Sequence, residues 1–69
     1  MTKYSILELE EARFAIHSTI GKCEKSLEKI VRKSPQQTLL IRRIKALKIS
    51  EELINQVLTD LINEDTSTI

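Results

Sequence analysis

The sequence contains very few of the residues that build turns, sheets and disulfides. Its 69 residues include one glycine, one proline, one cysteine and no tryptophan. A fold rich in β-strands needs turn residues at short intervals, so this composition argues against such a fold. The single cysteine, Cys23, cannot form a disulfide within the chain, which fits a reducing compartment. We expect Cys23 to be a small buried hydrophobic residue.

Long hydrophobic runs and a strong net charge are also missing. No unbroken apolar run exceeds three residues, as in Leu39-Leu40-Ile41, whereas a membrane-spanning helix needs roughly 20. The first residues lead into no apolar signal-peptide core, and the formal net charge is only +1. We therefore expect a cytoplasmic protein that has no membrane partner.

The residue types that perform catalysis are equally scarce. The one histidine, His17, has no cysteine, serine or aspartate placed as a catalytic partner. His17 and Cys23 are six residues apart, so on a helix they face different directions and cannot share a metal ion. No glycine-rich loop is present to hold phosphate. We predict no enzymatic activity, no cofactor, no metal site and no small-molecule substrate.

The segment Ser34-Pro35-Gln36-Gln37 divides the chain into two helices. Proline is tolerated at a helix start but interrupts a helix that runs through it. Ser34 is a favourable N-cap, Pro35 a favourable first residue, and Gln37 stands three positions after the cap, which together form a capping box. The sequence predicts helix 1 over about 5–33, a turn at 33–35 and helix 2 over about 35–64. A simple kink in one long helix is the alternative.

Helix 1 has its own start signal and one narrow apolar stripe. Ser5 and Glu8 form a second capping box. The apolar residues that follow alternate in steps of three and four, interrupted at Arg13, which is the spacing of a heptad seam. Phe14 points away from this seam and indicates a second contact face. The seam consists of Ile6, Leu9, Ile16, Ile20, Cys23, Leu27 and Ile30.

Helix 2 has a wider apolar arc than one neighbouring helix can cover. One heptad line comprises Leu40, Ile44, Leu47, Ile54, Leu58 and Leu61. A second line beside it comprises Leu39, Ala46, Leu53 and Val57. The two lines span about half of the helix circumference. We expect residues 65–69 to fray, and Ser50 could instead cap a separate third helix.

The short connection makes the two helices antiparallel neighbours in one domain, residues 1–69. Facing residues then sum to about 67, so Ile20 meets Leu47 and Leu9 meets Leu58. A two-helix layer encloses no core, and the second line of helix 2 stays exposed. We predict an all-α hairpin that pairs into a four-helix bundle as a homodimer. The two copies should be related by a two-fold axis, the commonest symmetry. The predicted interface residues are Leu39, Ala46, Leu53, Val57 and Phe14. A different helical protein could complete the hairpin instead.

Polar residues interrupt both seams at the same level of the hairpin. Arg13 and His17 on helix 1 should lie close to Glu51 on helix 2. We expect a buried or half-buried ion pair that fixes the register of the helices more than it adds stability. His17 could join this pair or stay solvated at its edge. By the same register, Glu24 should meet Arg43.

Charge is unevenly distributed along the chain. Residues 22–48 carry nine basic and two acidic side chains, whereas residues 49–69 carry five acidic and no basic ones. This layout could steer the assembly of two antiparallel hairpins. It could also form a phosphate-binding surface for RNA or DNA. The residues proposed to contact phosphate are Lys29, Arg32, Lys33, Arg42, Arg43 and Lys45. Because no aromatic residue is interleaved with these charges, we favour assembly or simple solvation.

We therefore predict a small non-enzymatic interaction or regulatory module that self-associates through its helix faces. The alternative is a small regulator that binds nucleic acid through the basic end of the hairpin.

Overall fold

The protein forms an antiparallel helical hairpin. A computed structural model describes the backbone of residues 3–67 and the side chains of residues 3–63. Helix α1 spans Ile6–Glu28 and helix α2 spans Pro35–Ser67, and no strand occurs within residues 3–67. The molecule measures 56 × 17 × 15 Å, so it is a rod two helices wide. The predicted all-α hairpin is confirmed.

The start of α1 is held by the predicted capping box. The backbone N–H of Glu8 donates to Ser5 Oγ at 3.1 Å, and the backbone N–H of Ser5 donates to Glu8 Oε1 at 3.1 Å. These two bonds satisfy donors that have no partner inside the helix. The four residues from Ser5 to Glu8 therefore fix where α1 begins.

The end of α1 differs from the prediction. The helix ends at Glu28 and not near residue 33, and the connection covers residues 29–34 instead of 33–35. The last turn tightens, since Lys29 N donates to Ser26 O and Ile30 N donates to Leu27 O. Packed helix axes lie 8–10 Å apart, so a chain leaving one helix needs several residues to reach the next. A helix that continued to residue 33 would have left almost none.

Helix α2 begins as predicted and continues further than expected. The backbone N–H of Gln37 donates to Ser34 Oγ at 3.2 Å, which confirms Ser34 as the N-cap. The alternative break at Ser50 is wrong, because the helix is continuous and the Ser50 hydroxyl donates to Ala46 O at 2.9 Å. The backbone of residues 65–67 is helical where fraying was predicted, and residues 68–69 lie outside the described residues.

The core is a single seam between the two helices. Its main cluster consists of Ile20, Cys23, Leu40 and Ile44, with Ile16, Leu27, Ile30 and Leu47 packed around it. Leu9 and Leu58 are buried towards the open end of the hairpin. The most buried of the core side chains, Leu58, still exposes 4% of its surface. Two helices therefore give a narrow core, and burial of Cys23 is confirmed.

Candidate interaction surfaces

One edge of the helix interface is lined by polar contacts, and we call it the polar rim. His17 Nδ1 lies 2.8 Å from Glu51 Oε2. Arg13 Nη1 donates to Asn55 Oδ1 at 3.0 Å. Further towards the connection, Lys48 Nζ lies 3.6 Å from Glu24 Oε2. Because three contacts cross between α1 and α2 on the same side, they define one edge of the hairpin.

The alignment of the two helices agrees with the prediction, but two of the predicted side-chain pairs do not form. His17 and Glu51 sum to 68, as do Arg13 and Asn55, close to the expected value. Arg13 bonds Asn55 and not Glu51, because Asn55 lies directly opposite Arg13 in this register, whereas Glu51 lies one helical turn away, opposite His17. The sequence reasoning overlooked Asn55, although it stands four residues after Glu51 on the same edge of α2.

The ion pairs of the rim are also more exposed than predicted. The Glu51 side chain is 24% exposed and therefore half-buried, whereas His17 is 78% exposed. No charged residue is buried among the described side chains. Glu24 pairs with Lys48, not with the predicted Arg43. Contacts of this exposure contribute about 0–1 kcal/mol each, so the rim adds little to the stability of the hairpin.

Phe14 lies beside the polar rim. Its side chain is 77% exposed and lines an open groove of about 540 Å³. The other lining residues are Glu10, Arg13, His17, Glu51 and Asn55. The structure thus places Phe14 with the predicted register residues. It does not bring Phe14 together with the other predicted interface residues on α2.

The opposite edge of the hairpin is apolar, and we call it the apolar face. Helical periodicity places it across the seam from the rim, because the rim residues of α2, Lys48 and Asn55, flank the seam on the other side. Its residues on α2 are Leu39, Ala46, Ser50, Leu53 and Val57. Leu39 is 53% exposed and Leu53 is 57% exposed. Ala46 is also exposed and Val57 is half-buried, so α1 leaves this line uncovered.

The hydroxyl groups on the apolar face are satisfied within their own helices. Ser50 Oγ donates to Ala46 O, and on the adjoining flank of α1 Thr19 Oγ1 donates to Ala15 O, both at 2.9 Å. A hydroxyl bonded in this way can face an apolar neighbour without losing a hydrogen bond. The face is therefore less polar than its composition implies.

The connected end of the hairpin is basic, and we call it the closed end. Of its nine basic side chains in residues 22–48, only Lys48 has an ion pair recorded among the described residues. The connection also exposes Val31, which keeps 95% of its surface. The positive charge predicted to contact phosphate is thus largely uncompensated within the hairpin. The residues concerned are Lys29, Arg32, Lys33, Arg42, Arg43 and Lys45.

Neither a metal site nor a membrane-spanning helix is found in the part of the chain that the structure describes. No group of three or more histidine, cysteine or acidic side chains is arranged to hold a metal ion there. Neither described helix combines the length and apolar character needed to cross a membrane.

Comparison with known proteins adds no further guide. The chain matches no protein-family model, no curated protein and no solved structure.

Proposed function

We propose that this hairpin is a non-enzymatic interaction module that self-associates through its apolar face, two hairpins forming a four-helix bundle. The supporting observation is the row of large apolar side chains that α1 leaves uncovered. Leu39 and Leu53 both keep more than half of their surface, and the core between the helices is a single seam. A second hairpin is the simplest cover for such a face, because most soluble oligomers are symmetric homo-oligomers.

The energetic case rests on the size of the side chains involved. Burying a leucine or valine fully is worth about 1.5–3 kcal/mol. In a two-fold dimer each of Leu39, Leu53 and Val57 is counted twice, since both copies use the same surface. The gain is offset by the loss of rotational and translational freedom on association. A reversible dimer with a moderate dissociation constant follows from this balance.

A dimer of this kind leaves other surfaces available for a regulatory or scaffolding role. Assembly through the apolar face leaves the polar rim, with the exposed Phe14 beside it, turned towards solvent. Exposed aromatic side chains are frequent anchors in protein interfaces. The rim is therefore where a different protein would bind the assembled module, which keeps Phe14 among the interface residues.

The experiment that tests the proposal is sedimentation equilibrium of the purified chain over a wide range of concentrations. The chain has a mass of 7.9 kDa. We expect the average mass to rise reversibly from that value towards twice that value as concentration increases. A chain that remains monomeric at the highest concentration, with native helical circular dichroism, would remove self-association as the function.

Nucleic-acid binding through the closed end is the second candidate. The observation that favours it is the uncompensated charge of the closed end, where one of nine basic side chains has an ion pair among the described residues. Binding to phosphates releases counterions, so affinity for RNA or DNA would fall steeply with salt. Fluorescence anisotropy with labelled single-stranded and duplex oligonucleotides measures this. Absence of binding at low salt would eliminate the candidate.

A further inference from the structure

We propose that the dimer is built by an antiparallel pairing of α2 with α2 of a second copy, with the two-fold axis passing between Ala46 and Ser50, at the level of position 48 along the helix. This inference rests on the proposed self-association and specifies its geometry. It follows from the order of side chains along the apolar face, the internal bonding of one hydroxyl and the distribution of charge along α2.

Four of the five residues of the apolar face on α2 are arranged symmetrically about position 48, and the fifth, Leu53, faces Arg43 of the other copy. Ala46 and Ser50 are small and stand at the centre, and Leu39 and Val57 are large and stand at the two ends. In an antiparallel pair the numbers of two facing residues add up to a constant. An axis at the level of residue 48 makes this sum 96. Leu39 of one copy then faces Val57 of the other, and Ala46 faces Ser50.

Small residues at the centre allow the two helices to approach closely. The distance between packed helix axes depends on the side chains at the point of contact. At that point the Ser50 hydroxyl donates to the Ala46 carbonyl of its own helix. It needs no partner from the other copy, so the centre of the interface can exclude water without leaving an unpaired polar group.

The charge distribution of α2 selects the antiparallel orientation. Residues 35–48 carry four basic side chains and no acidic one, whereas residues 49–67 carry five acidic and no basic ones. Antiparallel pairing places the basic half of each α2 beside the acidic half of the other. Parallel pairing would place like charges side by side, which opposes association.

The partner helix in the same hairpin does not compensate these charges. Beside the acidic half of α2, residues 6–21 of α1 carry three acidic and one basic side chain. Beside the basic half, residues 22–28 carry two of each, and the connection adds three basic ones. Folding into a hairpin therefore gathers like charge at each end, and a second copy in reverse orientation supplies the opposite charge.

Cysteine cross-linking tests the orientation directly. Two variants, Leu39→Cys and Val57→Cys, are made in a Cys23→Ala background, and each is oxidised alone and in an equal mixture. We expect a disulfide-linked dimer in the mixture, which joins residue 39 of one chain to residue 57 of the other. Each variant alone should give little product, because equivalent residues lie about 27 Å apart along the pair. The wild-type chain, with Cys23 buried, is the blank.

The outcomes separate this geometry from the proposed function. Cross-linking of Leu39→Cys to itself would mean a parallel pair and would overturn the inference. A chain that dimerises in sedimentation but gives no mixed cross-link would also overturn it while leaving self-association intact. If the chain stays monomeric, the apolar face belongs to a different protein, and both proposals fail. Should the Cys23→Ala background lose helical structure, the same comparison is made with native Cys23 retained.

Discussion

The two edges of the hairpin differ in what their side chains contact. Along the polar rim, side chains of α1 find partners on α2, as His17 does with Glu51 and Arg13 with Asn55. Along the apolar face no such cross-helix contact is recorded among the described residues. Its hydroxyls bond to their own helix, as Ser50 does, and its leucines remain more than half exposed. The same pair of helices therefore satisfies one edge and leaves the other unfinished.

This difference indicates which edge the fold uses for itself. Exposed polar contacts of the rim join the two helices but add little free energy. The apolar face has free energy to gain from burial, but nothing within residues 3–63 covers it. The polar contacts are thus made inside the hairpin, whereas the apolar face would gain stability only from a partner that covers it.

The largest effect on dimerisation is expected from a charge placed on the apolar face. Leu39→Glu removes from each copy a leucine that faces Val57 of the other, which at roughly 2 kcal/mol per side chain is about 4 kcal/mol, or close to a thousandfold in the dimer dissociation constant. Sedimentation equilibrium measures the change.

Ile41→Glu provides the matched control for that substitution. Ile41 stands two residues after Leu39, about 200° round the helix, and is 51% exposed, close to the 53% of Leu39. We expect Ile41→Glu to leave the dissociation constant nearly unchanged. Equal effects of the two substitutions would show that the apolar face is not the interface.

Salt should weaken the association. Raising the ionic strength from about 0.01 M to about 0.15 M shortens the Debye length from about 30 Å to about 8 Å. Because the antiparallel pair sets opposite charges side by side, we expect the dissociation constant to rise by roughly tenfold, about 1.4 kcal/mol. The combined variant Arg43→Gln with Asp60→Asn removes one charge of each sign from α2, and its salt dependence should be shallower. An association that strengthens with salt would exclude this electrostatic contribution.

Gly21→Ala should stabilise the hairpin by about 1 kcal/mol, since glycine inside a helix is that much less favourable than alanine. A Cβ at this position would meet no atom within 4 Å, so nothing opposes the gain. Gly21 is one heptad from Phe14, on the flank of α1 next to the polar rim. Urea unfolding measures the stability, and the dissociation constant should not change. Weaker association of this variant would instead place the partner on the rim side.

The smallest expected effect concerns the rim itself. In a double-mutant cycle, His17→Ala and Glu51→Ala should show a coupling free energy of about 0.5 kcal/mol, because the His17 side chain is 78% exposed. Urea unfolding of the two single variants and the double variant gives this value. A coupling of several kcal/mol would make the rim a main source of stability and would contradict the comparison.

Much of the fold could be predicted because its signals are local. The capping residues Ser5 and Ser34 predicted where the two helices start. The spacing of the seam residues predicted how the helices align. The end of α1 could not be read from the sequence. No glycine marks it, and it depends on the space that residues 29–34 must bridge.

The details of the candidate surfaces were less predictable, because they depend on how the two helices pack. The wide apolar arc of α2 identified Leu39, Ala46, Leu53 and Val57 from periodicity alone. The partner of Arg13 was assigned to Glu51 because of its opposite charge, whereas the residue directly opposite Arg13 in the register is the uncharged Asn55. Phe14 was recognised as pointing away from the seam, but its position beside the rim required the packed helices.

The most direct test of the central claim is an isotope-filtered nuclear Overhauser experiment on a mixture of labelled and unlabelled chains, which detects only contacts between different copies. We predict cross-peaks that connect the methyl groups of Leu39 in one copy with those of Val57 in the other. Intermolecular cross-peaks confined to Phe14 and the polar rim, or none at a concentration well above the expected dissociation constant, would contradict the claim that a second copy covers the apolar face.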